Sequence, residues 1–362
     1  MIDLEPNEDQ QLIVETVRQF ARNELRPKAR ECEESAKLPG DVLQRAHELG
    51  LIANALDESF GGGGERSALT GALIAEELAW GDLAIALAVL SPSLVAFPVS
   101  DLAGDALKQA LLPSFTGERF VPGSLALVEP HYGADPLAPK TRARANGDGF
   151  VLDGEKCLVP WIDGGSDVLV TAACDDGARA FLVERDAAGL RATPERNMGI
   201  QALPTVGLAL EGVRVPAERA LSGDAGHDLR RIVDCGRVAL SALAIGVARA
   251  AYEVARDYAK ERHAFGAPIA TKQAIAFKLA DMAIEIDGAR LLNWEAAWRL
   301  DQGLAATREV TLAHRQAQRV ALEVTDGAVQ VLGGHGYIRD YLPELHLRNA
   351  RGFACFEALS LV

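Results

Sequence analysis

The side chains able to do chemistry are few and widely spaced along this chain. No G-x-S-x-G elbow, Walker loop, kinase signature or zinc-ligand spacing occurs, so nucleophilic, phosphoryl-transfer and metal-hydrolytic chemistries lack their usual parts. The seven histidines are isolated from one another, and His335, inside Gly333-Gly334-His335-Gly336, reads as a loop residue rather than a base. Gly61-Gly62-Gly63-Gly64 has no Lys-Ser/Thr after it, so it reads as a flexible connector rather than a phosphate cradle. Cys32, Cys157, Cys174, Cys235 and Cys355 are odd in number and lack metal-ligand spacing, the pattern of reduced thiols. What remains is a basic spot at Lys260 and Arg262, and Asp234 with Arg237 one helical turn apart, a spacing that suits a local ion pair.

Those groups need a scaffold, and composition limits which one. The 362 residues are 49% hydrophobic and 24% charged, the balance of a packed protein with two or three domains or one large multilayer fold. With 37 basic against 51 acidic residues the net charge is −14, which disfavours nucleic acid and anionic membrane and makes any anionic ligand depend on a local basic site. The opening MIDLEPNEDQ is acidic and polar where a signal peptide is basic and then apolar. The longest apolar stretch, residues 83–99, is interrupted by Ser91-Pro92-Ser93 and Pro98, too short to span a bilayer. These features predict a soluble, cytoplasmic protein.

Periodicity divides the chain into three blocks. Up to about residue 118 it is helical: Ile13, Val17, Phe20 and Leu25 share one face, with Pro27 as a kink or end, and Val42, Leu43, Ala46 and Leu49 form a second short helix closed by Gly50. From 119 to 220 the period is two. Residues 141–145 and 150–153 flank the turn Asn146-Gly147-Asp148-Gly149, and strands at 167–173 and 179–184 flank Asp175-Asp176-Gly177. Beyond 220, Ala-rich helices are predicted at about 228–262, 271–301, 307–332 and 343–357. This order is not the βαβ alternation of a dinucleotide fold.

Several segments, in order, resemble the acyl-CoA dehydrogenase family. LGLIANALDESFGGGG and ALIAEELAWGD are similar to its N-terminal domain, and LALVEP to the loop opening its β domain. YAKERHAFGAPIATKQAIAFKLADMA and AVQVLGGHGYIRDYLPELHLRNAR are similar to its C-terminal domain. The resemblance covers nearly the whole chain. It implies an N-terminal α-helical domain over 1–118, a middle antiparallel β domain over 119–220 and a C-terminal four-helix bundle over 221–362. It also implies FAD, lying between the β domain, the C-terminal helices and a neighbouring subunit of a dimer or tetramer.

Carried over residue by residue, the resemblance puts Arg262 on the FAD pyrophosphate across a dimer interface, Phe265 beside the cofactor and Gln273 at its adenine end. Gln330, Gly333 and Gly334 would let backbone approach the FAD; the alternatives are an ordinary glycine C-cap and, for Arg262, a solvated helix end. The β-domain half departs from the family. Val128, Ala134, Leu158 and Pro160 stand where threonine, serine, tryptophan and threonine are usual, which leaves backbone groups at Leu127, Val128 and Val159. Three lost hydroxyl bonds would weaken FAD by roughly one to three decades. Counting from Arg348 puts the family's catalytic base at Glu357, and Gly236 occupies the alternative base position. Ala358-Leu359 then replace the usual Gly-Thr, so the other reading of Glu357 is a solvated residue in a frayed tail. Asp234 and Arg237 resemble the pair that meets CoA and its pantetheine arm.

Two functions follow. One is an FAD-dependent acyl-CoA dehydrogenase that forms a 2,3-enoyl thioester and passes electrons to an electron-transferring flavoprotein. The alternative is a non-catalytic or half-site subunit of a heteromeric dehydrogenase, with a flavin oxidase or monooxygenase on the same fold as a lesser third reading.

Overall fold

The computed structural model describes residues 6–64, 66–221, 228–357 and 359–362. The chain enters helix α1 (Glu8–Phe20) through a capping box between Asn7 and Gln10. The predicted kink near Pro27 has three parts: a π-turn over Ala21–Leu25, a 3-10 turn over Arg26–Lys28 that absorbs the proline, and then α2 (Ala29–Ser35). Helix α3 (Gly40–Glu48) ends with Gly50 at φ +71°, the left-handed stop that glycine permits. The glycine run that follows is not a flexible connector. A Cβ on Gly62 would lie 2.0 Å from the Leu56 carbonyl oxygen, so this stretch is pressed onto the preceding turn.

Helices α4 (Ala68–Gly81), α5 (Leu83–Leu90) and α6 (Ser93–Leu102) carry the core of this block, followed by the short α7 (Asp105–Leu111) and α8 (Pro113–Thr116). Every residue of α5 is buried, and Asp82 caps it by accepting the Ile85 amide. Leu83–Leu102 is long and apolar enough to cross a membrane, yet 94% of it is buried inside this fold, the placing of a core helix.

The middle block is a seven-stranded sheet of β1 (Leu125–Ala126), β2 (Arg142–Asn146), β3 (Gly149–Pro160), β4 (Asp167–Cys174), β5 (Gly177–Glu184), β6 (Leu190–Pro194) and β7 (Thr205–Pro216). The β2–β3 hairpin pairs Asn146 with Gly149 around Gly147 at φ +65°, as the turn residues require. The domain is mainly antiparallel, as expected, with two parallel pairings. β1 and β2 both pair with β4 in parallel, because the chain returns to β4 from a separate connection rather than a hairpin.

The last block contains α9 (Arg230–Glu261), a two-residue-turn hairpin β8 (His263–Ala264) and β9 (Ala267–Pro268), α10 (Gln273–Asp301), α11 (Thr307–Leu332), α12 (Gly334–Tyr337) and α13 (Pro343–Gly352). The block has three long helices and two short ones among the described residues. α13 stops at Gly352, not at 357, and the chain turns back so that the Phe356 ring occupies the space a Cβ on Gly352 would take.

The two helical blocks are locked together by a buried charge cluster. Glu77 of α4 takes both Arg249 nitrogens at 2.7 Å, and Glu76 beside it takes Arg290 at 3.0 Å and Arg249 at 3.1 Å. Gly246 lets α9 approach closely, since a Cβ there would meet the Glu76 carbonyl at 2.3 Å. Arg249→Met should lower the unfolding free energy by about 3–5 kcal/mol in chemical denaturation, because Glu77 would stay buried without its main partner. Arg18, half exposed on the same Glu77, should cost under about 1 kcal/mol when replaced by Met.

Asp82 supplies a pH test. Burial raises its carboxyl to about 6, against the opposing pull of the capped amides. Its folded value lies above its unfolded one, so its contribution to stability is complete below about pH 4 and is lost as pH rises towards 6. Asp82→Asn keeps the cap, and should gain stability relative to the parent at about pH 7 but not at about pH 4, by urea melts at both.

Candidate active site

Helix α9 is Ala-rich, with one polar stripe. Asp234, Arg237 and Ser241 follow at three- and four-residue spacing, which puts them on one face. They do not form the local ion pair that the spacing suits. Asp234 instead accepts the Thr307 hydroxyl of α11 at 2.7 Å, while its Oδ1 is buried without a partner among the described residues. Burial raises this carboxyl, and Thr307 and Arg237 act against the rise. Arg237 turns to Glu357, with Nη2 at 3.0 Å from Oε1 and Nε at 3.3 Å from both carboxylate oxygens. Both side chains are 22% exposed, so the pair sits at the edge of the interior.

Beneath this pair runs a relay that sequence reasoning missed. The Ser241 hydroxyl donates to the Arg237 carbonyl at 2.6 Å and faces His314 Nδ1 at 3.4 Å. Gln318 donates to His314 Nε2 and to the Phe353 carbonyl, both at 2.7 Å, which leaves the imidazole proton on Nδ1 towards Ser241. Burial, aided by the Arg237 charge, pulls His314 down to about 4 and keeps it neutral. The available signal was a histidine and glutamine at i and i+4 in the Ala-rich α11.

Glu357 lies in an irregular segment, but not in a frayed tail. Phe353 and Phe356 before it are core residues, and Leu359, Ser360, Leu361 and Val362 after it are all buried. Ser93 Oγ accepts the Leu361 amide at 3.1 Å, and Arg66 donates to the Val362 oxygen at 3.0 Å. Ala358, one of the departures from the family pattern, lies outside the described residues.

The residues expected to meet a cofactor fall in two places. On the β side, the Leu127 carbonyl accepts from Lys156 and the Val128 carbonyl accepts the Cys157 amide. The half-buried Val128 amide donates to no protein acceptor among the described residues. Val159 is fully buried opposite Val206 in the β3–β7 ladder. Leu158 adopts φ +54° and gives its amide to the Glu195 carboxylate at 3.0 Å, while Pro160 has no amide and its carbonyl takes Ser124 Oγ.

On the helical side the expected residues are exposed. Arg262 caps α9 with its side chain in solvent and no ion pair among the described residues. Phe265 is 96% exposed at the tip of the β8–β9 hairpin, where it and Gly266 both have positive φ, the geometry of a type I′ turn. A phenylalanine held left-handed costs about 1–2 kcal/mol, so this placing needs a compensating contact. Gln273 opens α10; Gln330 lies in the last turn of α11, near Gly333 and Gly334, and a Cβ on either glycine would meet nothing within 4 Å. His335 accepts or donates with the Tyr258 hydroxyl at 2.9 Å and stacks on Tyr341, so it braces this turn. A guanidinium, an open amide and a bare glycine turn are the donor set and surface that a pyrophosphate-linked flavin fits.

Family profiles then match in three consecutive pieces: the acyl-CoA dehydrogenase N-terminal domain over 7–118, the middle domain over 124–213 and the C-terminal domain over 229–357. The chain belongs to the acyl-CoA dehydrogenase family. A probable acyl-CoA dehydrogenase of Bacillus subtilis is 36% identical, over 97% of this chain and 94% of its own. The structure of butyryl-CoA dehydrogenase from Megasphaera elsdenii superposes with a TM-score of 0.89 at 30% identity, covering 98% and 96%. A glutaryl-CoA dehydrogenase from Mycobacterium smegmatis, solved with FADH2, gives 0.87 at 28%, covering 97% and 91%.

A cavity of about 650 Å³ opens between α1, α4, Leu361 and Val362, and neither Arg237 nor Glu357 lines it. The chemistry of the donor groups, rather than cavity size, marks the site. Arg237→Met should lower stability by about 1–3 kcal/mol in urea melts, with Arg237→Lys recovering part of it, because Glu357 loses its charged partner.

Proposed function

We propose that this chain binds FAD and oxidises an acyl-CoA thioester to its 2,3-enoyl form, with Glu357 as the base. The observation that carries this reading is the Arg237–Glu357 contact, which joins two residues 120 positions apart that the resemblance assigned to one reaction. An α-proton next to a thioester is weakly acidic, so its removal needs a carboxylate held in a partly dry, oriented position. Arg237 orients Glu357 from one side, and the core residues Phe353 and Phe356 and the tethered Leu361 fix the segment that bears it. Asp234, buried with an unpaired oxygen, is the polar group left to receive a donor from the CoA arm.

Bound FAD would supply the hydride acceptor for the β-carbon. Arg262, Gln273 and the turn at Gln330, Gly333 and Gly334 would hold its phosphates and adenine, and the Val128 amide its ring edge. Their exposure supports a second subunit facing them. Phe277, Ile284 and Leu291 of α10, exposed at seven-residue intervals, add an apolar stripe of the kind a subunit contact covers. Butyryl-CoA is the first substrate to try, given the likeness to the butyryl enzyme, with an electron-transferring flavoprotein as acceptor.

A specific observation favours the half-site alternative: Leu158 has spent its amide, Pro160 has none, and Val128 and Ala134 carry no hydroxyl. A chain short of own-side donors could depend on a related partner chain.

Glu357→Gln should slow α-proton exchange from butyryl-CoA by about a hundredfold or more while leaving FAD affinity unchanged, measured by deuterium incorporation and flavin titration. Exchange at the parent rate would remove Glu357 from the mechanism.

A further inference from the structure

Lys156 is the largest fully buried side chain among the described residues, and the reaction described above makes no use of it. It projects from β3 under the loop that follows β1. Its three ammonium hydrogens have three acceptors: Glu129 Oε1 at 3.0 Å, Thr171 Oγ1 of β4 at 3.1 Å and the Leu127 carbonyl at 3.3 Å. Glu129 extends the network. It accepts the backbone amides of Lys140 at 2.7 Å and Thr141 at 2.8 Å, and its Oε2 lies 3.0 Å from His131 Nε2. One buried ion pair therefore fastens β3, β4 and both ends of the stretch between residues 127 and 141.

Burial pulls Lys156 down to about 8 and the Glu129 charge resists, so the side chain is an ammonium at neutral pH. Burial alone would raise Glu129, but the Thr141 and Lys140 bonds and the Lys156 charge outweigh it and hold the carboxyl near about 2. A buried ion pair is a poor way to gain stability, since well-packed apolar residues of the same volume often do as well. What it does supply is direction. An apolar side chain at position 156 could fill the space but could not hold the Leu127 carbonyl, and the Leu127–Val128 peptide would lose that tether.

We propose that Lys156 is a positioning residue for the flavin, fixing the Leu127–Val128 backbone so that the Val128 amide stands as a preformed donor. This chain has particular need of it, because Val128, Ala134 and Pro160 supply no hydroxyl, Pro160 no amide, and the Leu158 amide is already taken by Glu195. The inference rests on the FAD reading above.

The test compares the full-length parent with Lys156→Met and Thr171→Val, using FAD titration followed by visible absorption, with thermal melting of the FAD-free proteins as the control. Thr171→Val removes one acceptor of the ammonium while keeping the ion pair and the side-chain volume. It should stay folded but melt below the parent, because one buried ammonium hydrogen loses its acceptor, and should bind FAD about two- to threefold more weakly, with a shifted flavin band. Lys156→Met should weaken FAD by about tenfold or more. If Lys156→Met fails to fold, Thr171→Val decides: parent affinity and an unchanged flavin band overturn the inference. Folded variants that both bind FAD as the parent does overturn it while leaving the flavin reading intact. A parent that takes no FAD overturns both.

Discussion

The buried contact of Glu76 and Glu77 with Arg249 and Arg290 is the constraint on which the rest depends. Two adjacent carboxylates under 5% exposed cannot stay ionised there without cations, and the buried cations come from α9 and α10, with Arg18 of α1 at the edge. Satisfying them sets where α9 lies along α4. The absence of a Cβ at Gly246 lets the two backbones close to that distance. With α9 so placed, the face bearing Asp234, Arg237 and Ser241 is turned to α11, and Arg237 reaches the segment that carries Glu357.

The polar groups that follow are arranged in a graded way. Deep in the bundle, His314 is neutral and fully bonded between Ser241 and Gln318, and so makes no demand for a counter-charge. Nearer the surface, Arg237 and Glu357 are half-buried and paired, so a ligand can compete for them. At the outside, Arg262, Phe265 and the Gly333–Gly334 turn are bare. A strained, exposed phenylalanine beside an arginine with no ion pair among the described residues is the arrangement that we propose another molecule completes. The β domain mirrors this logic, with the Lys156–Glu129 pair inside and the half-buried Val128 amide without a protein acceptor among the described residues.

Much of the architecture was legible because its signals are local. The Asn146–Gly149 turn, the Gly50 stop and the three long helices each declare themselves within a few residues. The parallel pairing of β1 and β2 with β4 was not, because β1 has two residues and its partner is more than forty positions away. The end of α13 was misjudged since helical spacing continues through Phe353 and Phe356, and only the fold shows a ring closing over Gly352. The same distinction holds at the site. Asp234, Arg237 and Glu357 could be named singly, but their partners (Thr307, Glu357 for Arg237, and the relay through His314) come from other helices. Lys156 escaped notice for a related reason: a lysine in a strand reads as an outward-facing residue until its three acceptors are seen.

The central claim is that one chain holds both a flavin and a base able to start the oxidation. Its most direct test is anaerobic: the purified chain is loaded with FAD, and its visible absorption is followed as butyryl-CoA and then longer acyl-CoAs are added. The account predicts bound flavin bands that bleach as one of these thioesters is oxidised. Bands that no acyl-CoA bleaches, or a protein that stays colourless with FAD, would contradict it.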